Sequence, residues 1–245
     1  MTLPLYAINL DRSPERWQRL DEQARKFGLE LSRVPAIDGN SLAQEHWTDF
    51  NSEQFERYNG RKALPGEYGC YRSHLLALQQ FLDSGHGAAI ILEDDVELNE
   101  QLAVRASAIR DAVPRAGLVK LISHRMRGFR KTAATSMQDE VGQCFHGPQG
   151  SAACYLVTRA GAQMLLETLR PMTLPYDVAL ERAWATGVKT YSSHPNLVKL
   201  VASRGTTIGR RIDYHAAKSP KWSRIPAHLF RTTDYLRRMF YVLGV

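Results

Sequence analysis

Three consecutive carboxylates, Glu93-Asp94-Asp95, follow the apolar run Ala88-Ala89-Ile90-Ile91-Leu92. Acids packed side by side repel one another unless a cation neutralises them. Hard oxygen ligands suit Mg2+ or Mn2+, held by one or two carboxylates together with substrate phosphates. A buried strand would deliver these acids to the rim of a sheet, and in open α/β sheets ligands bind in the crevice outside the carboxyl ends of the strands. A solvated acidic turn after a strand carries the same residues. A second chemical group is Ser73-His74, beside Arg72 on the helix expected just before the acids. A histidine on an apolar helix also serves as a hydrogen-bonded core residue.

The elements that must position these residues follow from periodicity and caps. Leu3 to Leu10 reads as a first strand. Ser13-Pro14 then opens a helix that runs through Trp17, Leu20 and Ala24 to Phe27 and closes at Gly28. Leu29 to Val34 fits a second strand, followed by the turn Asp38-Gly39. Residues 40–64 show no clean period and read as a long functional loop or short helices. Glu67 to Leu82 fits an amphipathic helix, Ile90–Leu92 a strand, and roughly 97–112 a further helix. Leu118–Ile122 and Ala152–Val157 read as strands, with a basic, Gly-rich mobile loop over 124–150 between them. Arg159–Leu169 reads as a helix, a last helix opens at Pro175-Tyr176-Asp177 and ends near Gly187, and Val188–Tyr191 reads as a final strand. Strands alternating with helices predict an α/β fold around a mostly parallel central sheet.

The 245 residues suffice for one large domain with an appendage, and 44% hydrophobic and 23% charged residues are ordinary for a globular chain. No apolar run is long enough to span a bilayer, and the N-terminus lacks the basic flank and apolar stretch of a signal peptide. Cys70, Cys144 and Cys154 are odd in number and show no metal-like spacing, which favours a reducing cytoplasm with no disulfide framework and no structural zinc. The net charge of +7 lies entirely in the segment from Arg204 onward, where nine Lys/Arg face two acids. Residues 1–208 are therefore expected as a near-neutral domain and 209–245 as a basic, aromatic helical tail.

Several segments together resemble glycosyltransferase family 25. They are Ala7-Ile8-Asn9-Leu10-Asp11-Arg12-Ser13, Gly66-Glu67-Tyr68-Gly69-Cys70-Tyr71-Arg72-Ser73-His74, Ile91-Leu92-Glu93-Asp94-Asp95-Val96 and Leu174-Pro175-Tyr176-Asp177-Val178-Ala179-Leu180, with the strand Ala153–Val157. The resemblance covers roughly residues 3–208. It implies a GT-A type fold, a UDP-sugar donor such as UDP-galactose, a divalent cation (Mn2+ or Mg2+) and inversion at the anomeric carbon.

Residue by residue, the resemblance implies that Asn9, Asp11 and Arg12 reach the base, ribose or phosphates at the end of strand one. A turn cap at Asp11 and a solvated Arg12 and Arg16 are the alternatives. Asp38 could hold the uridine from the other side, or simply make its turn. Ser73 and His74 would lie near the diphosphate, and Gly69 would shape the helix entry. Asp95 would bind the metal, with Asp94 or Glu93 meeting donor hydroxyls or a metal-bound water. The metal would stabilise the diphosphate leaving group. Inversion needs one base, and Asp177 is the candidate: the helix dipole would keep it ionised, though a helix cap explains it too. Glu181 is the reserve. His194 is a possible second metal ligand or a surface loop residue. Lys199 and Arg204 could contact the diphosphate, and Gly147–Ser151 would border the acceptor groove. Thr206-Thr207-Ile208 departs from the Ser-Asp-Ile that many relatives carry.

In the tail, Leu229, Phe230, Leu236, Phe240 and Leu243 approximate one helical face among Arg231, Arg237 and Arg238. A basic amphipathic helix reads as a peripheral anchor on an anionic membrane surface, here the inner face of the membrane. A helix packed on the domain with a basic outer face is the alternative. The expected partners are a UDP-sugar donor and a glycolipid or oligosaccharide acceptor such as lipopolysaccharide, and no nucleic-acid motif is present. Two other functions use the same residues. A metal-dependent phosphohydrolase would need the acids at 93–95 but no sugar acceptor. A non-enzymatic membrane or nucleic-acid module would need the tail but not Asp95.

Overall fold

A computed structural model describes residues 3–201 and 211–244. In chain order its elements are β1 (Leu5–Asn9), α1 (Pro14–Lys26), β2 (Leu31–Pro35), α2 (Ser52–Asn59), α3 (Pro65–Asp83), β3 (Ala88–Glu93), β4 (Val96–Glu97), α4 (Leu102–Ala112), β5 (Leu118–Lys120), β6 (Arg127–Ala134) and β7 (Glu140–His146). There follow β8 (Cys154–Thr158), α5 (Arg159–Thr168), α6 (Tyr176–Leu180), α7 (Ala183–Thr186), β9 (Thr190–His194), β10 (Lys199–Leu200), α8 (Arg211–Ala216) and α9 (Ile225–Leu243). Short 3-10 turns at Gly39–Ser41 and Gln44–His46 precede α2, so the 40–64 segment is built of short helices.

The α/β architecture expected from the sequence is present. One eight-stranded sheet has the order β2-β1-β3-β8-β5-β9-β7-β6. Pairing is parallel among β2, β1 and β3 and between β5 and β9, and antiparallel around β8 and at the β6–β7 hairpin. Because β8 runs against both β3 and β5, the strands β1, β2, β3, β5 and β9 all end at one edge.

The continuous apolar run of β3 is explained by burial on both faces. Side chains alternate across a strand: Ala89 and Ile91 join a core with Tyr71, Leu75 and Phe81 of α3, while Ile90 and Leu92 join a second core with Leu20 of α1 and Ile109 of α4. Burying Ile90, Ile91 and Leu92 contributes about 1.5–3 kcal/mol each.

Three elements differ from expectation. Residues 124–150 are not an irregular loop: most of the segment forms the β6–β7 hairpin, with Val141 and Cys144 buried and a basic, exposed outer strand, the usual protection of a sheet edge. The helix expected from 97 begins at Leu102, because Val96 and Glu97 pair with Lys199 and Leu200 as a separate antiparallel ribbon. The helix opening at Pro175 breaks at Glu181–Arg182 into α6 and α7.

The tail helix α9 packs on the body. Phe230 stacks on Tyr58 of α2 with ring centroids 4.1 Å apart, and Arg182 pairs with Asp234 at 2.8 Å. Phe230 therefore leaves the apolar face expected for it. Ile225, Leu229, Leu236, Phe240 and Leu243 stay exposed on the opposite side. No helix among the described residues is long and apolar enough to cross a membrane.

Candidate active site

Two contiguous depressions run along the edge where the parallel strands end. The first is lined by Ile8 of β1, by Leu10 and Arg12 just after it, by residues 36–40 after β2, by Ser73 and His74 of α3, and by Glu93 and Asp94. The second is lined by Glu67, Asp95, His124, residues 151–153, Tyr176, Asp177 and Tyr214. Cys70 and Glu93 border both.

The floor of the first depression rests on a close crossing of backbones. A Cβ on Gly69 would lie 2.4 Å from the Ile37 carbonyl oxygen and 2.6 Å from the Gly39 nitrogen, so only glycine lets α3 sit this close to the 37–40 turn. Ser73 fastens the same crossing: its Oγ accepts from the Ile37 N–H at 2.8 Å and donates to the Gly69 carbonyl at 2.6 Å. Arg12 pairs with Asp38 across the mouth, and Asp38 also accepts from the Asn40 N–H. Arg12, Asp38, Ser73, His74, Glu93 and Asp94, all expected from the sequence, are thus brought to one depression.

Asn9 and Asp11 are not. Asn9 is buried and donates to Asp94 Oδ2 at 2.7 Å and to the Ser13 carbonyl, while its own oxygen accepts from Arg33. It positions Asp94 instead of facing the cleft. Asp11 turns outward to Arg33 at 2.6 Å, because that guanidinium bridges it to the end of β1. Asp94 is further held by Arg16 at 3.2 Å and by Arg19 on its carbonyl.

Asp95 differs from Asp94 in having no arginine hydrogen-bonded to its carboxylate among the described residues. Its Oδ1 is buried and unpaired among the described residues. Burial first, then the neighbouring Glu93 and Asp94, push its carboxyl from 3.8 up to about 6. A partly buried, unpaired carboxylate oxygen beside two more acids is a donor set that fits a hard dication.

Across the second depression, Asp177 stands at the start of α6, where its Oδ1 accepts from the Val178 N–H at 2.9 Å. Its pKa is raised, by burial above all and then by Glu181. Burial outweighs the dipole of α6, which has only five residues, so the expected dipole lowering is not what sets this carboxyl.

Glu181 does not serve as a reserve base. It is buried, salt-bridged to Lys120 at 2.5 Å and Arg238 at 3.1 Å, and accepts from the backbone N–H groups of Gln149 and Gly150. With every lone pair engaged, it anchors α9 and the 147–151 loop to the sheet. His194 is not a ligand beside Asp95: it lies at the exposed end of β9, near Glu140 at 3.9 Å and the Phe129 ring, and does not line the cleft. Lys199 is exposed in the β10 ribbon. Arg204 and Thr206-Thr207-Ile208 lie outside the described residues.

Sequence reasoning missed Cys70 and Lys120. For Cys70 a signal existed, its i,i+4 spacing to His74 on one helix. Lys120 owes its place to contacts across the sheet with Gly150 and Glu181. Ser151, at the cleft wall, holds φ +66°, a left-handed conformation uncommon for a residue with a Cβ.

Residues 2–180 match the family model described as Glycosyltransferase family 25 (LPS biosynthesis protein). A glycosyltransferase 25 family member from Aedes aegypti is 26% identical over 167 residues, which are 66% of this chain and 28% of that protein. Human procollagen galactosyltransferase 2 is 26% identical over 118 residues, 46% of this chain and 19% of its own length. The human inactive glycosyltransferase 25 family member 3 is 25% identical over 199 residues, 78% of this chain and 32% of that protein. The chain spans about a third or less of the length of these relatives. Among solved structures, a glycosyltransferase involved in the glycosylation of the major capsid of PBCV-1 is similar with a TM-score of 0.38 and 10% identity, over 75% of this chain and 74% of that one. That likeness is too distant to bear on the site.

Proposed function

The chain belongs to glycosyltransferase family 25, and from that premise we propose that it transfers a hexose from a UDP-sugar to a saccharide hydroxyl with inversion. Galactose is the leading sugar, because a relative is named procollagen galactosyltransferase 2. A surface glycolipid such as lipopolysaccharide is the leading acceptor, from the description of the matched family. Family membership favours transfer over the phosphohydrolase and binding-module readings.

One observation carries the proposal: Arg12, Asp38, Ser73, His74, Glu93 and Asp94, six of the residues expected to hold a donor, line one depression, Asp95 and Asp177 line the next, and the two adjoin at Glu93. In this reading Asp38 and the 37–40 backbone hold the uridine, and Arg12 faces the diphosphate. Asp95, with Glu93 beside it, would hold the Mn2+ or Mg2+, which when bound offsets the charge of the departing diphosphate. Asp177 takes the proton of the acceptor hydroxyl. Burial shifts its pKa upward, the direction that strengthens a carboxylate as a general base. Asn9, Arg16 and Arg19 keep Asp94 in place, and Ser73 keeps the donor loop against α3.

The exposed strip of α9 supports a place for the enzyme on the inner face of an anionic membrane. Leu229 is 64% and Phe240 55% exposed, and Trp222, just before the helix, is 85% exposed. Exposed Lys218, Lys221 and Arg237 lie along the same segment, each worth on the order of 1 kcal/mol near anionic lipid.

The test is UDP release from a panel of UDP-hexoses with saccharide acceptors. Transfer that falls about 10²–10⁴-fold in Asp177→Asn, with UDP binding retained, is expected for loss of a general base. Turnover in Asp177→Asn close to that of the parent protein would remove Asp177 from the role.

A further inference from the structure

Between the two depressions, Cys70 and His74 of α3 face Glu93 at the end of β3. Residues four apart share one face of a helix, and here the thiol, the imidazole and the carboxylate each bring one ligand atom within 4.8 Å of the other two. His74 Nε2 lies 3.3 Å from Glu93 Oε1. Ligands bound to one tetrahedral ion at roughly 2.0–2.3 Å lie roughly 3.3–3.8 Å apart, so a modest contraction of this triangle would close it around an ion.

The imidazole is already oriented for such a role. Its ring stacks on Tyr176 with centroids 4.1 Å apart. Its Nδ1 lies 3.2 Å from the Tyr155 hydroxyl, which in turn lies 3.0 Å from the Tyr176 hydroxyl. When Nδ1–H donates to Tyr155, Nε2 turns a lone pair toward the Glu93 carboxylate, an arrangement that calls for a cation between them. A hydrogen bond on the far nitrogen is how metal-binding histidines are held. His74 is fully buried, while Cys70 and Glu93 are partly exposed on the cleft side, which leaves a fourth position open.

We propose that Cys70, His74 and Glu93 form a site for a thiophilic divalent cation, Zn2+ foremost, adjacent to the hard-cation site at Asp95 and sharing Glu93 with it. Sulfur and imidazole ligands select Zn2+ or Co2+ over Mg2+ and Mn2+. Binding replaces the thiol proton, which leaves to solvent. The assignment stands on this geometry alone and does not require that the chain transfer a sugar. Because Glu93 borders both depressions, an ion here sits where donor and acceptor would meet.

The test is titration of the chelator-treated full chain with Co2+, read by the near-ultraviolet charge-transfer band of a cobalt-bound thiolate. One equivalent is expected to produce the band, and one equivalent of Zn2+ to abolish it. Cys70→Ala should lose the band and weaken Zn2+ binding at least a hundredfold, as should His74→Asn if its melting curve shows it folded. Cys144→Ala, Cys154→Ala and Asp95→Asn should keep it. No band in the parent chain, or a band that survives Cys70→Ala, overturns the assignment. Loss of the band in Asp95→Asn with retention in Cys70→Ala also overturns it, by moving the cobalt to the other site.

Discussion

Asp95→Asn should stabilise the metal-free protein while removing its response to metal. The buried Asp95 Oδ1 has no partner among the described residues, and burial with Glu93 and Asp94 raises the carboxyl from 3.8 to about 6. A carboxyl whose pKa rises on folding supports the fold fully only below its unfolded value and loses that support as pH climbs through the folded one. With about 1.4 kcal/mol per tenfold, ionised Asp95 costs about 3 kcal/mol above pH ~6.5, and solvent on its open side brings this toward about 2. Asparagine keeps the shape and carries no charge. Melting in chelator at about pH 7.5 should therefore show Asp95→Asn higher by roughly 4–9 °C for a chain of this size. The gain should roughly halve near pH ~5 and nearly vanish below pH ~4. A variant that melts at or below the parent at about pH 7.5, or a gain that ignores pH, would refute the electrostatic strain assigned to this carboxylate.

Other perturbations test the supporting structure. Gly69→Ala forces a Cβ against the backbone of residues 37–39 on both sides. It should destabilise by about 1–3 kcal/mol and weaken UDP binding, as calorimetry would show; unchanged binding would detach that turn from the donor site. Arg238→Met leaves Glu181 with Lys120 and two backbone N–H groups, so its cost should fall at the low end of about 3–5 kcal/mol for a broken buried pair. A lower urea midpoint with an unchanged slope checks it. Leu236→Glu with Phe240→Glu should leave the melting temperature within a degree or two, because both side chains are exposed, yet abolish co-sedimentation with anionic vesicles. Equal sedimentation of the two proteins would dismiss the membrane role of α9.

What the sequence made legible was local. The apolar run that ends at Glu93 and the Ser13-Pro14 helix start are each decided by residues within a few positions, and each stands as expected. What it hid was set by distant partners. Glu181 sits one helical turn past Asp177 and looks like a companion acid, but Lys120, 61 residues away, and Arg238, 57 residues away, draw it inward. Asn9 at the end of the first strand looks like a ligand contact until Asp94, 85 residues later, takes its amide. The hairpin over 127–146 escaped because its outer strand is an exposed edge with Arg127, Arg130 and Lys131, which erases the apolar alternation of a half-buried strand. His194 was undecidable from its neighbours, since only the sheet register with Glu140 turns it outward.

The central claim is a nucleotide-diphosphate cleft completed by a cation at Asp95, and thermal melting with UDP tests it most directly. With Mn2+ present, UDP at about a hundredfold excess over its dissociation constant should stabilise the protein by roughly 2.7 kcal/mol. The shift should disappear in chelator and in Asp95→Asn. A protein that ignores UDP under every condition, or one that gains the same stability in chelator, would contradict it.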